Sequence, residues 1–102
     1  MLIELNQENF GEVVFGKESG TVLVDFYASW CAPCKMLNYT LEEIAEENPN
    51  ITIGKVNIES NSALASEYDV MALPTLIVFH DGEFHKASSG YAQKESILKM
   101  LV

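Results

Sequence analysis

Residues 21–27, Thr-Val-Leu-Val-Asp-Phe-Tyr, constrain the fold more than any other stretch of this chain. They are β-branched and aromatic, and apolar on both parities apart from Asp25. A strand with two apolar faces belongs in the middle of a sheet, because both faces must be taken out of water. Helices packed above and below the sheet are the usual cover.

The remaining segments supply such helices. Residues 2–5 read as a weaker first strand. Asn6 is placed to cap a helix carrying Phe10, Val13 and Val14 on one face, and Gly20 to end that segment. A long helix is expected from Cys31 to Glu47. Leu37, Leu41, Ile44 and Ala45 form its apolar stripe, with Glu42, Glu43, Glu46 and Glu47 in water. Pro33 falls in its first turn, where proline is tolerated, and Asn48-Pro49-Asn50 stops it. Residues 51–58 form the next strand, Asn61 to Tyr68 a short helix, and residues 75–79 another buried-type strand. Asp81-Gly82 is a turn signal, so residues 83–88 should return antiparallel to that strand. Residues 93–101 form a last helix with Ile97, Leu98 and Leu101 inward. The order β-α-β-α-β-α-β-β-α describes one α/β domain over 1–102, with a mixed five-stranded central sheet flanked by four helices on both faces. Helices between the early strands imply parallel pairing there, and the hairpin adds an antiparallel edge.

The chain has 102 residues, 48% of them hydrophobic, enough for one packed core. Its net charge is −9, and its basic residues are six lysines with no arginine. Phosphate recognition needs clustered positive charge, so no nucleic acid partner is expected, and an anionic membrane surface is disfavoured. Glu4, Glu8 and Glu12 precede the first basic residue, Lys17, which is not the start of a secretory signal. No apolar run approaches the roughly 18 residues of a membrane span. These features predict a cytoplasmic chain, a monomer by default.

Cys31 and Cys34 are the only cysteines. A pair three residues apart cannot staple distant parts of a fold, so its spacing points to local chemistry. The pair follows the buried strand and opens the long helix. Helix N-termini carry unsatisfied N–H groups and positive partial charge, which stabilise a thiolate. The spacing sets both sulfurs on one side of the first turn, within reach of a mutual disulfide. Cys31 is then the exposed nucleophile and Cys34, one turn in, the shielded resolving thiol. Two other readings compete. The pair could be half of a zinc site completed by His80 and His85, but that separation is far longer than in small zinc motifs. It could also be inert core, which suits tandem sulfurs at a strand-to-helix junction poorly. The two histidines read more simply as surface residues of a hairpin, and no metal is expected.

The run Asp25-Phe26-Tyr27-Ala28-Ser29-Trp30-Cys31-Ala32-Pro33-Cys34-Lys35-Met36 resembles the active-site segment of the thioredoxin family. Met71-Ala72-Leu73-Pro74-Thr75-Leu76, then Asp81-Gly82 and Gly90, resemble its later landmarks, and the likeness spans nearly the whole chain. It implies the thioredoxin fold and a protein-disulfide reductase without a bound cofactor. In that activity Cys31 attacks a disulfide of a client protein, Cys34 releases the reduced product, and a thioredoxin reductase recharges the pair. It implies that Asp25 lies buried beneath Cys34. A carboxyl there has a pKa raised by desolvation and can exchange a proton with Cys34 through water. The bland alternative is a solvent-facing aspartate at a strand edge, which its apolar neighbours disfavour. Lys55 stands at the family's position for a partner to that acid. The resemblance also implies a cis bond before Pro74, where the residues alone allow an ordinary trans proline. Leu73 would offer its backbone to the substrate, within a docking surface of Trp30, Pro33, Leu73, Pro74, Gly90 and Tyr91.

The chain departs from the family pattern at several positions. Ala32 stands where glycine is commonest, and Tyr27 where tryptophan is frequent. Asn38 and Tyr39 occupy the region of a helix-kinking proline, so a straighter helix is expected. Three alternatives to a reductase remain. A disulfide-forming oxidant or isomerase belongs to oxidising compartments. A binding module using the Trp30/Pro74 face would survive loss of both cysteines. A glutaredoxin-type role fits Ala32-Pro33 and Pro74-Thr75 less well.

Overall fold

The computed structural model describes residues 1–102. Five strands, β1 (Leu2–Leu5), β2 (Thr21–Tyr27), β3 (Thr52–Asn57), β4 (Thr75–His80) and β5 (Glu83–Ser89), form one sheet in the order β1-β3-β2-β4-β5. Four helices accompany them: α1 (Phe10–Val14), α2 (Ala32–Glu47), α3 (Ser62–Glu67) and α4 (Lys94–Leu101). β2 is central, as its two apolar faces require.

The alternation along β2 divides the core in two. Val22, Val24 and Phe26 pack on one face with Phe10 and Val14 of α1 and Leu64 of α3. Leu23 packs on the other with Leu37, Leu41 and Ile44 of α2 and Ile97 and Leu101 of α4. Asp25 shares the parity of Leu23, so it faces the α2 side and is fully buried there. The helix stripes do as expected, and Glu42, Glu43, Glu46 and Glu47 are all exposed.

β1, β3 and β2 are parallel, but β4 already runs antiparallel to β2, before the hairpin to β5. Helix-linked strands are expected to be parallel, but the segment through α3 does not carry the chain back across the sheet: it re-enters at the end where it left, with Thr75 opposite Phe26. That reversal brings the segment before β4 to the end of β2, beside Cys31.

Local differences have local causes. Asn6 does not cap α1. Its Oδ1 accepts from Glu8 N and Asn9 N at 2.8 and 2.9 Å, closing a turn that delays the helix to Phe10. Gly20 does not end α1, which stops at Val14; with φ +68° it instead leads into β2. Its N–H donates to Asp81 Oδ1, and Asp81 N–H donates to its carbonyl, both at 2.9 Å. Asp81 and Gly82 have φ of +49° and +87°, the left-handed pair that a tight two-residue hairpin needs. α2 runs uninterrupted for 16 residues, with Pro33 in the first turn and none after it.

Candidate active site

β2 ends at Tyr27, and Ala28 to Trp30 carry the chain to Cys31, the N-cap of α2. Cys31 is extended (φ −89°, ψ 106°), and its sulfur accepts from Cys34 N–H at 3.3 Å. A cap side chain satisfies one of the helix's free N–H groups; here that side chain is a sulfur. The same N–H and the end of a 16-residue helix favour negative charge on Sγ once the thiolate forms. Ala32 and Pro33 complete the first turn, and a disulfide joins Cys31 to Cys34 with Cα atoms 5.3 Å apart. Ser29 anchors the approach: its N–H and Oγ–H both donate to Glu59 Oε1, at 2.9 and 2.8 Å, holding that carboxyl below its usual range.

The expected contrast in exposure does not hold in the disulfide form. Cys31 and Cys34 are both buried, each 4% exposed, because the bond tucks the two sulfurs against Ala28, Tyr27, Ile58 and Leu73. What distinguishes them is the cleft each one lines. Cys31 lines an apolar cleft of about 450 Å³ with Trp30, Ala32, Pro33, Ile58, Val70, Met71, Ala72 and Leu73. Cys34 lines a cleft of about 560 Å³ with more polar and charged neighbours: Tyr27, Ser29, Lys35, Asn38, Tyr39, Glu42 and Lys55.

Trp30 is 69% exposed on the rim of the apolar cleft, and Met71 is 93% exposed. Sequence reasoning placed Trp30, Pro33 and Leu73 there, but not Met71, Ile58 or Val70. Met71 stood in the quoted segment, and its apolar chain at a loop tip was the available signal. Pro74 follows a cis bond from Leu73 and is buried, so it contributes no open surface. It is a joint: its carbonyl accepts from Gly90 N–H at 2.7 Å, and Thr75 Oγ–H donates to Ala72 carbonyl at 2.6 Å. Gly90 and the exposed Tyr91 do not line the cleft with Cys31.

Asp25 lies fully buried on the α2 face of β2, and neither carboxyl oxygen has a hydrogen-bond partner. Its pKa is pushed up to about 7. Burial is the main cause, Lys55 pulls the other way, and Glu4 adds to the rise. Lys55 is next to it in register on β3, but no ion pair forms. Lys55 Nζ bonds Asn38 Oδ1 instead and lies 4.4 Å from the Tyr27 ring centroid. Tyr27 O–H donates to Glu4 Oε2 at 2.7 Å; with burial, that bond raises the phenol's pKa. No three His, Cys, Asp or Glu side chains gather to hold a metal ion. His80 and His85 stack with centroids 3.9 Å apart, their Nε2 atoms 2.9 Å from the carbonyls of Leu101 and Val102.

A buried cysteine pair at a helix N-terminus, in a chain with an unpaired buried carboxyl on the preceding strand and a cis-proline loop packed on the sulfurs, invites comparison with known proteins. The Thioredoxin family model matches residues 1–102. The thioredoxin of Chlamydia trachomatis serovar D is 45% identical over 101 residues, covering 99% of this chain and 96% of that protein. This chain belongs to the thioredoxin family. The thioredoxin of Chlamydia pneumoniae is 44% identical over 97 residues, covering 95% of this chain and 92% of its own length. Among solved structures, a mutant thioredoxin from Halobacterium salinarum NRC-1 superposes with a TM-score of 0.89 at 33% identity, covering 98% of this chain and 87% of that one. The thioredoxin fold, with its mixed sheet and four helices, is thus established at this level too. As a member of this family the chain is a thiol-disulfide oxidoreductase, and its redox group is the Cys31–Cys34 pair rather than a bound cofactor. No helix is long and apolar enough to cross a membrane.

Proposed function

We propose that the protein is a cytoplasmic reductant of protein disulfides, with its site residues in distinct roles. The Cys31 thiolate attacks one sulfur of a client disulfide, forming a mixed disulfide and expelling the other sulfur as a thiolate. Cys34, as thiolate, then attacks Cys31 Sγ. The Cys31–Cys34 disulfide forms, and the second client sulfur leaves. Two electrons pass from the protein's dithiol to the client, whose two thiolates take up protons. A thioredoxin reductase returns two electrons to the pair for the next cycle, and the protein acts as a monomer.

Asp25 is the group that takes the Cys34 proton as that thiol becomes the attacking thiolate. A carboxyl with pKa about 7 is half-ionised near neutral pH, so it can both accept and return a proton. Lys55 tunes it from the neighbouring strand. Trp30, Pro33 and Leu73 form the client-docking rim, with Met71 beside them, while Pro74 and Gly90 act behind it, their backbone bond holding the loop that carries Leu73. The observation that carries this reading is the separation of the two cysteines between clefts: Cys31 in the one lined almost wholly by apolar residues, which suits a client chain, and Cys34 in the one that also holds Lys55, the register neighbour of Asp25.

The test is trapping. Cys34→Ser should accumulate a mixed disulfide between Cys31 and a disulfide-bonded client, because nothing resolves it, and Cys31→Ser should accumulate none. Equal trapping by both variants, or trapping by Cys31→Ser alone, would reverse the assignment.

A further inference from the structure

Asp25 and Lys55 are neighbours in register across β2 and β3, yet they stand unpaired. Opposite charges in so poorly solvated a place attract strongly, so something must hold them apart. Two groups do. Asn38 Oδ1, on α2, accepts from Lys55 Nζ, and the Tyr27 face lies under the same ammonium at 4.4 Å. Each of these groups is itself oriented. The Tyr27 hydroxyl is fixed on Glu4 at 2.7 Å, and Asn38 Nδ2 donates to Glu42 Oε2 at 3.5 Å, which turns Oδ1 toward the lysine. Asparagine is a poor helix former, and Asn38 sits in the interior of α2, so helix formation does not explain its presence.

We propose that Asn38 is a positioning residue: its side-chain oxygen holds the Lys55 ammonium away from Asp25 and so leaves that carboxyl free to exchange a proton with Cys34. This deepens the proposed function and rests on its reading of Asp25. Charged and titratable groups reach the carboxyl from several elements: Lys55 on β3, Glu4 on β1 and Tyr27 on β2 itself. Cys34, Lys35 and Glu42 on α2 share the adjoining cleft, and β4 sets the apolar Leu76 opposite. Lys55 is the cation that acts on Asp25, and Asn38 sets where that cation rests. A carboxyl paired with it would be held ionised well below neutral pH and would be too weak a base to take the Cys34 proton and hold it for return.

The test titrates the Asp25 carboxyl by carbon-13 NMR in the disulfide form, where neither cysteine titrates. Asn38→Leu keeps the branched shape and heavy-atom count and removes the acceptor. Lys55 should then close on Asp25, and the midpoint should fall by about 1 pH unit, the low end of the effect of an adjacent opposite charge. In a Lys55→Met background the midpoint should sit higher, and Asn38→Leu should no longer move it. Should Asn38→Leu fail to fold, Asn38→Ala is read in the same way. A midpoint that stays or rises on removing Asn38, or that falls as much without Lys55, overturns the proposal. No turnover is read, so that failure would leave the trapping result for the cysteines untouched.

Discussion

Replacing Asp25 with asparagine should make the protein more stable, and by an amount that depends on pH. The carboxyl is fully buried without a hydrogen-bond partner, and its pKa rises from an ordinary 3.8 to about 7. In the unfolded chain the group ionises near 3.8, so between about pH 4 and 7 the folded protein binds the extra proton. Stability from this group is therefore complete below pH 3.8 and is lost as pH rises through 7, after which the loss is constant. A rise of about 3 in pKa, at about 1.4 kcal/mol apiece, makes the full loss about 4 kcal/mol. Asparagine mimics the protonated acid and escapes that loss. Asp25→Asn should match the parent near pH 4 and exceed it by up to about 4 kcal/mol at pH 8. The assay is denaturant unfolding of the disulfide form across pH 4 to 9. Any constant cost of burying the amide cancels, because the readout is the change with pH. A stability difference that stays flat across that range, or that shrinks as pH rises, would refute the reasoning. The same variant should turn over more slowly near neutral pH, since Cys34 loses its proton acceptor.

Two further outcomes follow from other parts of the structure. In the reduced protein Cys31 should alkylate at least about tenfold faster than Cys34, because it sits at the helix end and opens to the apolar cleft; mass mapping of the first modified site checks this, and equal rates would contradict it. Gly82→Ala should destabilise by about 1–2 kcal/mol or more in thermal or denaturant unfolding. Its φ is +87°, and an added Cβ would lie 2.7 Å from the Phe15 carbonyl oxygen; a neutral effect would mean that the hairpin shifts freely.

Features governed by short-range patterns were legible in the chain. β2 declared itself through two apolar parities, α2 through its stripe and first-turn proline, and the β4–β5 hairpin through Asp81-Gly82. The cysteine spacing and the parity of Asp25 likewise put the reactive pair and the buried acid where the structure has them. What escaped depends on contacts between segments distant in sequence. The antiparallel entry of β4 is set by its pairing with β2, a strand distant in sequence. Pro74 was expected on an open surface, and its burial depends on the Gly90 bond that closes over the loop. The equal burial of the two sulfurs depends on Ile58 and Leu73, far along the chain. The diversion of Lys55 from Asp25 needs Asn38, 17 residues away. The missing helix proline drew attention to that region without revealing a polar contact there.

The equilibrium reduction potential of the Cys31–Cys34 pair tests the central claim most directly. Trp30, the only tryptophan, stands exposed beside Cys31, so its fluorescence can follow the exchange against a redox buffer. The reference is the value characteristic of the thioredoxin family, about −270 mV. A potential in that range is what a reductant of client disulfides requires. A potential of about −120 to −180 mV, where strong oxidants and isomerases lie, would contradict the account and make the protein a donor or shuffler of disulfides.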